Sequence, residues 1–270
     1  MGTPLKTDKS KLLEDIEWGI PSSPRPQNAA WIIDAYSFIQ TLKPLHKETG
    51  CTLLTVVKPS NFSEIALSIM SSLCNISCPQ PDRIDFVVDT YSTTSIKNIE
   101  RQRRSKNQGR RVKISTGTQK APPDWNNYMS NIDNKNDLPE FPLSQWSQDP
   151  KCAELLKDST LFVTHGTKCH QIQNGPNSFH TSEVTMLHYM AEEADTRLIL
   201  HAKHAAETGS NSVVIRSSDT DVVVLAVYFQ WEIDTELFLQ GKYSKSKWKF
   251  LDLGSISKKL GIVLSKALLD

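Results

Sequence analysis

The chain lacks any apolar run long enough to cross a bilayer. Its longest, Val222 to Phe229, falls far short of the roughly 20 residues a membrane helix needs. No apolar h-region stands near the N-terminus, so no secretory leader is expected. An excess of charge of one sign is also missing: 31 Lys and Arg against 30 Asp and Glu leave a net charge of +1. No global field then attracts nucleic acid, and any basic surface must be local. The five cysteines, Cys51, Cys74, Cys78, Cys152 and Cys169, form neither a C-x-x-C pair nor a zinc pattern with histidine. They read as reduced thiols of an intracellular, nuclear protein. What is present is ordinary for a soluble globular chain, with 38% hydrophobic and 23% charged residues. A length of 270 residues holds one full-size α/β domain, or a core with one sizeable insertion.

The most informative stretch is Ala191 to Ala226, AEEADTRLILHAKHAAETGSNSVVIRSSDTDVVVLA. Good helix formers run from Glu192 to about Glu207, with Leu198, Ile199, Ala202, Ala205 and Ala206 at helical spacing. Thr208 to Asn211 supplies turn residues, and Ser212 to Arg216 reads as a short buried strand. Ser218-Asp219-Thr220-Asp221 follows at once. A helix feeding a strand predicts a parallel α/β layout, in which ligands bind outside the carboxyl ends of the strands. Acids in a first helical turn commonly complement the macrodipole, and an Asp after a strand is often only an N-cap. Two acid pairs at neighbouring chain crossings weaken that reading. Glu193, Asp195, Asp219 and Asp221 would repel one another unless a cation neutralised them, and Mg²⁺ or Mn²⁺ prefers such oxygen ligands.

Glu193-Ala194-Asp195, the Ala/Leu-rich helix, the glycine turn, the apolar strand and Ser218-Asp219-Thr220-Asp221 resemble the core of the PIN-like 5′-nucleases. That superfamily includes the flap endonucleases, the XPG-type nucleases and the 5′-nuclease domain of bacterial DNA polymerase I. Its bacterial members often carry another Asp directly after E-A-D. Thr196 stands there in this chain, as it does not break the match to the flap endonucleases, which lack that Asp too. The resemblance covers roughly residues 29 to 104 and 159 to 230.

In chain order, residues 1–28 read as a polar arm with Pro21, Pro24 and Pro26 and a helical piece around Leu12 to Trp18. Ala29 to Ile33 is the first predicted core strand, followed by Asp34 and a helix ending before Pro44. Asp34 matches the first metal-binding Asp of the resembling nucleases. Cys51 to Val57 reads as a strand and Asn61 to Leu73 as a helix with Phe62, Ile65, Ile69 and Leu73 inward. Asp85 to Val88 is a further strand ending at Asp89. From Lys97 to Lys113 there are eight Lys or Arg and one acid, Glu100. A solvated helix face is the common use of such a run; leaving the sheet edge that carries the acids would make it a phosphate contact. The resemblance assigns Lys97 and Arg104 to the scissile phosphate. On the phosphate-contact reading of the run, Arg101, Arg103, Lys106, Arg110, Arg111 and Lys113 would be further nucleic-acid contacts.

Residues 109 to about 157 read as an insertion, placed by position where the resembling enzymes carry an arch over the substrate. Its aromatics Trp125, Tyr128, Phe141 and Trp146 could stack on bases, although anchoring a helix to the core is the commoner use. Ser159 to Thr164 is a strand, and His165, Lys168 and His170 are expected in a loop after it. Thr181-Ser182-Glu183 is expected to cap a short helix through Tyr189. His201 and His204 read as partly buried packing residues. A hairpin around Gly241-Lys242 joins strands at Glu236 to Leu239 and Lys247 to Leu253, and helices follow at Ile256 to Leu260 and Ile262 to Leu269.

The expected architecture is a three-layer α/β/α PIN-like domain over residues 29–270 with a mainly parallel central sheet. The expected activity is metal-dependent hydrolysis of phosphodiester bonds in nucleic acid, DNA rather than RNA, without a small-molecule cofactor or a membrane. Asp34, Asp89, Glu193, Asp195, Asp219 and Asp221 would hold two Mg²⁺ or Mn²⁺ ions about 4 Å apart. Two other readings stay open: a PIN-like module that binds without cutting, and a phosphatase of the haloacid dehalogenase type. The latter places D-x-D after the first core strand, whereas here it follows a late one. Endo- or exonucleolytic cleavage, structural preference, oligomeric state and the possible lack of a C-terminal duplex-binding element are left open by the sequence.

Overall fold

The computed structural model describes residues 22–42, 59–89, 109–175, 179–190, 194–244 and 247–267. The expected helix at 12–18 and strand at 51–57 lie outside them. In chain order the elements are β1 (Ala30–Asp34), α1 (Ala35–Thr41), α2 (Phe62–Cys74) and β2 (Arg83–Val87). Four short helices follow: α3 (Trp125–Ser130), α4 (Ile132–Asp137), α5 (Glu140–Trp146) and α6 (Pro150–Leu156). Then come β3 (Thr160–His165), β4 (Lys168–Asn174), β5 (Phe179–Glu183), α7 (Ala194–Glu207), β6 (Ser212–Arg216) and α8 (Thr220–Phe229). The described chain closes with β7 (Glu236–Ser244), β8 (Lys247–Asp252) and α9 (Leu253–Ala267). This is an α/β protein. It divides into two compact units, Asp34–Ala194 and Met1–Ile33 with Asp195–Asp270.

In the unit Asp34–Ala194 the strands run β5-β4-β3-β2. β2 and β3, separated by helices, pair in parallel, while β3, β4 and β5 are successive antiparallel neighbours. Helix α2 starts where its sequence provides a reciprocal cap. Asn61 Oδ1 accepts from the Glu64 backbone at 2.9 Å, and Glu64 Oε2 accepts from the Ser60 backbone at 2.7 Å. Its predicted inward face is buried: Phe62, Ile65, Ile69 and Leu73, with Ala66 and Met70 beside them. The aromatics of α3 to α5 pack against this core. Trp146 is fully buried, stacks edge-on to Phe86 at 5.6 Å and donates from Nε1 to the Ala66 carbonyl at 2.9 Å. Tyr128 and Phe141 lie 5.8 and 6.2 Å from Phe62. In β2, Arg83 and Asp85 form a buried bidentate pair at 2.7 and 2.8 Å, with the guanidinium over the Phe162 ring.

Two expectations in this unit are corrected. Lys168 and His170 are not in a loop but in β4, because Gly166 takes a positive φ of 54° and closes a tight hairpin after β3. Residues 181–183 do not cap a helix; they belong to β5, and only a single 3₁₀ turn, Thr185–Leu187, follows. The alternation in Phe179–Glu183 with β-branched Thr181 suits an edge strand.

In the other unit the strands run β1-β6-β7-β8. β1 with β6 and β6 with β7 are parallel, and β7 with β8 is an antiparallel hairpin. Trp31, Ile32, Ile33, Val213, Val214 and Ile215 are fully buried, so β1 and β6 are apolar on both faces, as parallel strands require. Gly241-Lys242 is not the hairpin turn but part of β7, which runs on to Ser244 with an irregularity at Lys242/Ser244. The two predicted C-terminal helices are the halves of α9, broken at Gly261, whose φ of 76° interrupts the helix. None of the described helices is long and apolar enough to cross a membrane.

Candidate metal centre

Strand β6 delivers the chain, buried to Ser217, to the start of α8. There Ser217 Oγ accepts from the Asp219 N–H at 3.1 Å, turning the backbone out of the strand. Asp219, with φ −86° and ψ 130°, is the N-cap of α8, and its Oδ1 accepts from the Asp221 N–H at 3.0 Å. Asp221 lies in the first helical turn. The local role that such residues often fill is therefore present. It does not account for the third member. Asp195, in the first turn of α7 and separated from Asp219 by a helix and a strand, brings a carboxylate oxygen within 4.8 Å of those of Asp219 and Asp221. Asp195 is half-buried and the other two are exposed, so the group opens to solvent.

The donor set is chemically uniform. It contains carboxylate oxygen and neither thiolate nor imidazole, which suits a hard divalent ion such as Mg²⁺ or Mn²⁺ and not a structural zinc. These three residues fit the expected metal, and among the described residues they are the one group of at least three acidic, His or Cys side chains that converges in this way.

The remaining predicted residues are placed as follows. Asp34 caps α1, its Oδ1 accepting from the Ser37 N–H at 3.1 Å. Asp89 follows β2, and its Oδ1 accepts from the Ala194 N–H at 2.7 Å. Both belong to the unit Asp34–Ala194. Glu193, Lys97, Arg101, Arg103, Arg104 and Lys106 lie outside the described residues. Arg110, Arg111 and Lys113 are described, and they are not helical. Residues 109–113 run as irregular chain along α3 and α4. Asn127 Oδ1 accepts from the Arg110 N–H, Asn134 Oδ1 accepts from the Val112 N–H, and Asn134 Nδ2 donates to the Arg110 carbonyl. Gly109 is required for this approach, since a Cβ there would stand 1.7 Å from the Asn127 carbonyl oxygen. The Arg111 guanidinium turns inward to Asn134 at 3.0 Å and to Asp137. Arg111 is thus a tether of its own fold, although Arg110, Arg111 and Lys113 are all exposed.

Sequence reasoning missed two polar groups. Arg216, the last residue of β6, lays its guanidinium over the Trp248 ring at 4.3 Å. Burial, and next the charge of Arg25, push Arg216 down to about 10. Only strand pairing of β6 through β7 to β8 brings these residues together, and no local motif reports that. The second group joins Lys168 and His188 to Glu183, at 2.9 and 2.8 Å. The β4–β5 hairpin assembles it, and 165–170 read as a loop conceals it. His201, by contrast, is fully buried on α7, in keeping with a packing role. Compared with family models, curated proteins and solved structures, the chain matches none.

Proposed function

We propose that the chain is a metal-dependent nuclease that hydrolyses phosphodiester bonds in DNA, with Asp195, Asp219 and Asp221 as ligands of its metal. The observation that carries this reading is the convergence of Asp195, from one helix start, on the Asp219–Asp221 pair at another. The resemblance of the same residues to the acid motifs of PIN-like 5′-nucleases supplies the reaction class. A Mg²⁺ or Mn²⁺ ion bound there would lower the pKa of a water and offset charge on the phosphoryl oxygens. The chain's own residues hold and orient the ligands. The Asp221 N–H fixes Asp219 Oδ1, and buried Ser217 fixes the Asp219 backbone. The two-ion form expected from the resemblance is part of the proposal, and counting Mn²⁺ bound per chain tests it.

The deciding experiment incubates the protein with labelled single-stranded, duplex and flap DNA, and with RNA, in Mg²⁺, Mn²⁺ or EDTA, beside p-nitrophenyl phosphate. Cleavage of DNA that needs the metal and disappears in Asp219→Asn is the expected result. Phosphatase activity alone would establish the haloacid dehalogenase-type chemistry instead. Binding of DNA without cleavage in any metal would leave a binding module.

A further inference from the structure

The unit Asp34–Ala194 carries a cluster that the metal centre does not use. Lys168 and His170 lie on one face of β4, two residues apart, and His170 stands in register with Glu183 of β5. His165, at the end of β3, is in register with Lys168. After the 3₁₀ turn the chain returns to present His188. That return is held fast: Val184 N–H donates to the Cys169 carbonyl at 2.8 Å, Tyr189 N–H donates to the Thr167 carbonyl at 2.9 Å, and Leu187 is fully buried. The two oxygens of one carboxylate then meet two basic partners on different elements. Glu183 Oε2 lies 2.9 Å from Lys168 Nζ, and Oε1 lies 2.8 Å from His188 Nε2. Among the described residues, the charged groups acting on His170 are Glu183, His165, Lys168 and His188, so Glu183 is there the single acid among four basic residues. Burial, before any of these charges, pushes the His170 imidazole below its usual range, and the Lys168 hydrogen bond holds the Glu183 carboxyl low.

A carboxylate gripped through both oxygens by separate donors has the geometry of a bound oxyanion. The donors reach solvent, with side chains 56% exposed at Lys168 and 36% at His188. We propose that Lys168, His170 and His188 form a phosphate-contact surface for the nucleic-acid backbone, in which Glu183 occupies the anion's place until a phosphate displaces it. The choice of nucleic acid as the phosphate's source rests on the function proposed above. At neutral pH, Lys168 and Glu183 cancel.

The test is fluorescence anisotropy with a labelled single-stranded oligonucleotide in EDTA, over a salt series at pH 7.5 and pH 6.0. Glu183→Gln keeps the shape of the side chain and removes its charge. It should bind several-fold more tightly than wild type at pH 7.5, with the slope of log K against log salt steeper by about 0.7, the value for one additional single-strand phosphate contact. Lys168→Gln added to it should cancel that gain. His188→Gln should weaken the binding of wild type at both pH values. Wild type that binds the oligonucleotide while Glu183→Gln leaves both affinity and slope unchanged would overturn this surface alone. Wild type that binds nothing at either pH would overturn the surface and the nuclease reading together. Lys168→Gln in the otherwise unchanged chain provides a second variant, and unaltered binding at pH 6.0 would overturn the surface equally.

Discussion

Asp219 has two duties that can be separated by substitution. It caps α8 through Oδ1, and it stands with Asp195 and Asp221 in a group of like charges no farther apart than 4.8 Å. At that distance one pair of unit charges repels by about 3.5 kcal/mol at an effective dielectric of 20, and by about 0.9 kcal/mol in bulk water. Asp219 and Asp221 are exposed, so the lower value applies, and two pairs involving Asp219 sum to about 2 kcal/mol. Asp219→Asn retains a side chain that caps equally well, and loses about 0.5 kcal/mol of attraction to the helix dipole. The net gain in metal-free protein is about 1.5 kcal/mol, which for a chain of this size raises the Tm by about 3–6 °C. Asp219→Ala relieves the same repulsion and also forfeits the cap, at about 1 kcal/mol, so its Tm should fall between those of Asn and wild type. With Mn²⁺ the order should invert. A ligand at a hundred times its Kd stabilises the folded wild type by about 2.7 kcal/mol, and both variants should gain much less. Thermal melts of the three proteins in EDTA and in Mn²⁺ provide the measurement. A lower Tm for Asp219→Asn than for wild type in EDTA, with equal stabilisation of all three by Mn²⁺, would refute the idea that these acids share one ion.

Other perturbations probe the frame that carries the sites. Asn134 is fully buried and hydrogen-bonds Arg111, Val112, Arg110 and Tyr128, so Asn134→Ala should cost about 2–4 kcal/mol by stranding backbone groups, read from urea denaturation. Asp85→Asn should cost about 3–5 kcal/mol because it leaves the Arg83 charge buried without its bidentate partner; a loss below 1 kcal/mol would refute this. Burial pushes the Cys74 and Cys152 thiols up to about 12, so alkylation at pH 8 followed by peptide mapping should mark exposed Cys78 rapidly and those two only after unfolding. His170 is held below 6.5 in the folded chain and Glu183 below 4.5, so the folded state binds fewer protons than the unfolded one in both cases. Stability is then full above pH 6.5 and declines as the pH falls toward the folded His170 value, and His170→Gln should flatten the decline in Tm between pH 7 and pH 6.

Much of the fold was legible because its signals are local. The Ser212–Arg216 strand and the helix ending at Glu207 were read from a β-branched run and from helical spacing, and both lie where expected. The inward face of α2 follows from its apolar period. The failures are of a different kind. Thr181–Glu183 was taken for the cap of a helix because Thr and Ser commonly cap helices, and the pairing that makes it a strand is with β4. Gly241 was taken for a turn because glycine usually marks one, but β7 continues through it to a later hairpin. In each case a partner strand decided between two conformations that the residues alone allow.

The acids show how far local reading reaches into chemistry. Asp34 and Asp219 each accept a backbone N–H two or three residues on, the bland role that their position after a strand predicts, whereas Asp89 accepts from the Ala194 N–H far along the chain. A motif cannot say whether such an Asp has a second role, because the cap and the ligand need the same residue type at the same place. What distinguishes them is a carboxylate from elsewhere, and Asp195 provides it for Asp219 and Asp221. The basic run illustrates the opposite outcome. Arg110, Arg111 and Lys113 have identical charge in the sequence and all are exposed, yet Arg111 is committed to Asn134 and Asp137. Replacing Arg111 would therefore perturb the packing of 109–113 on α3 and α4, and replacing Arg110 or Lys113 would not. Salt-dependent DNA binding lost in Arg110→Ser and Lys113→Ser, with the Tm unchanged, is the result that would make this segment a phosphate contact and not a solvated edge.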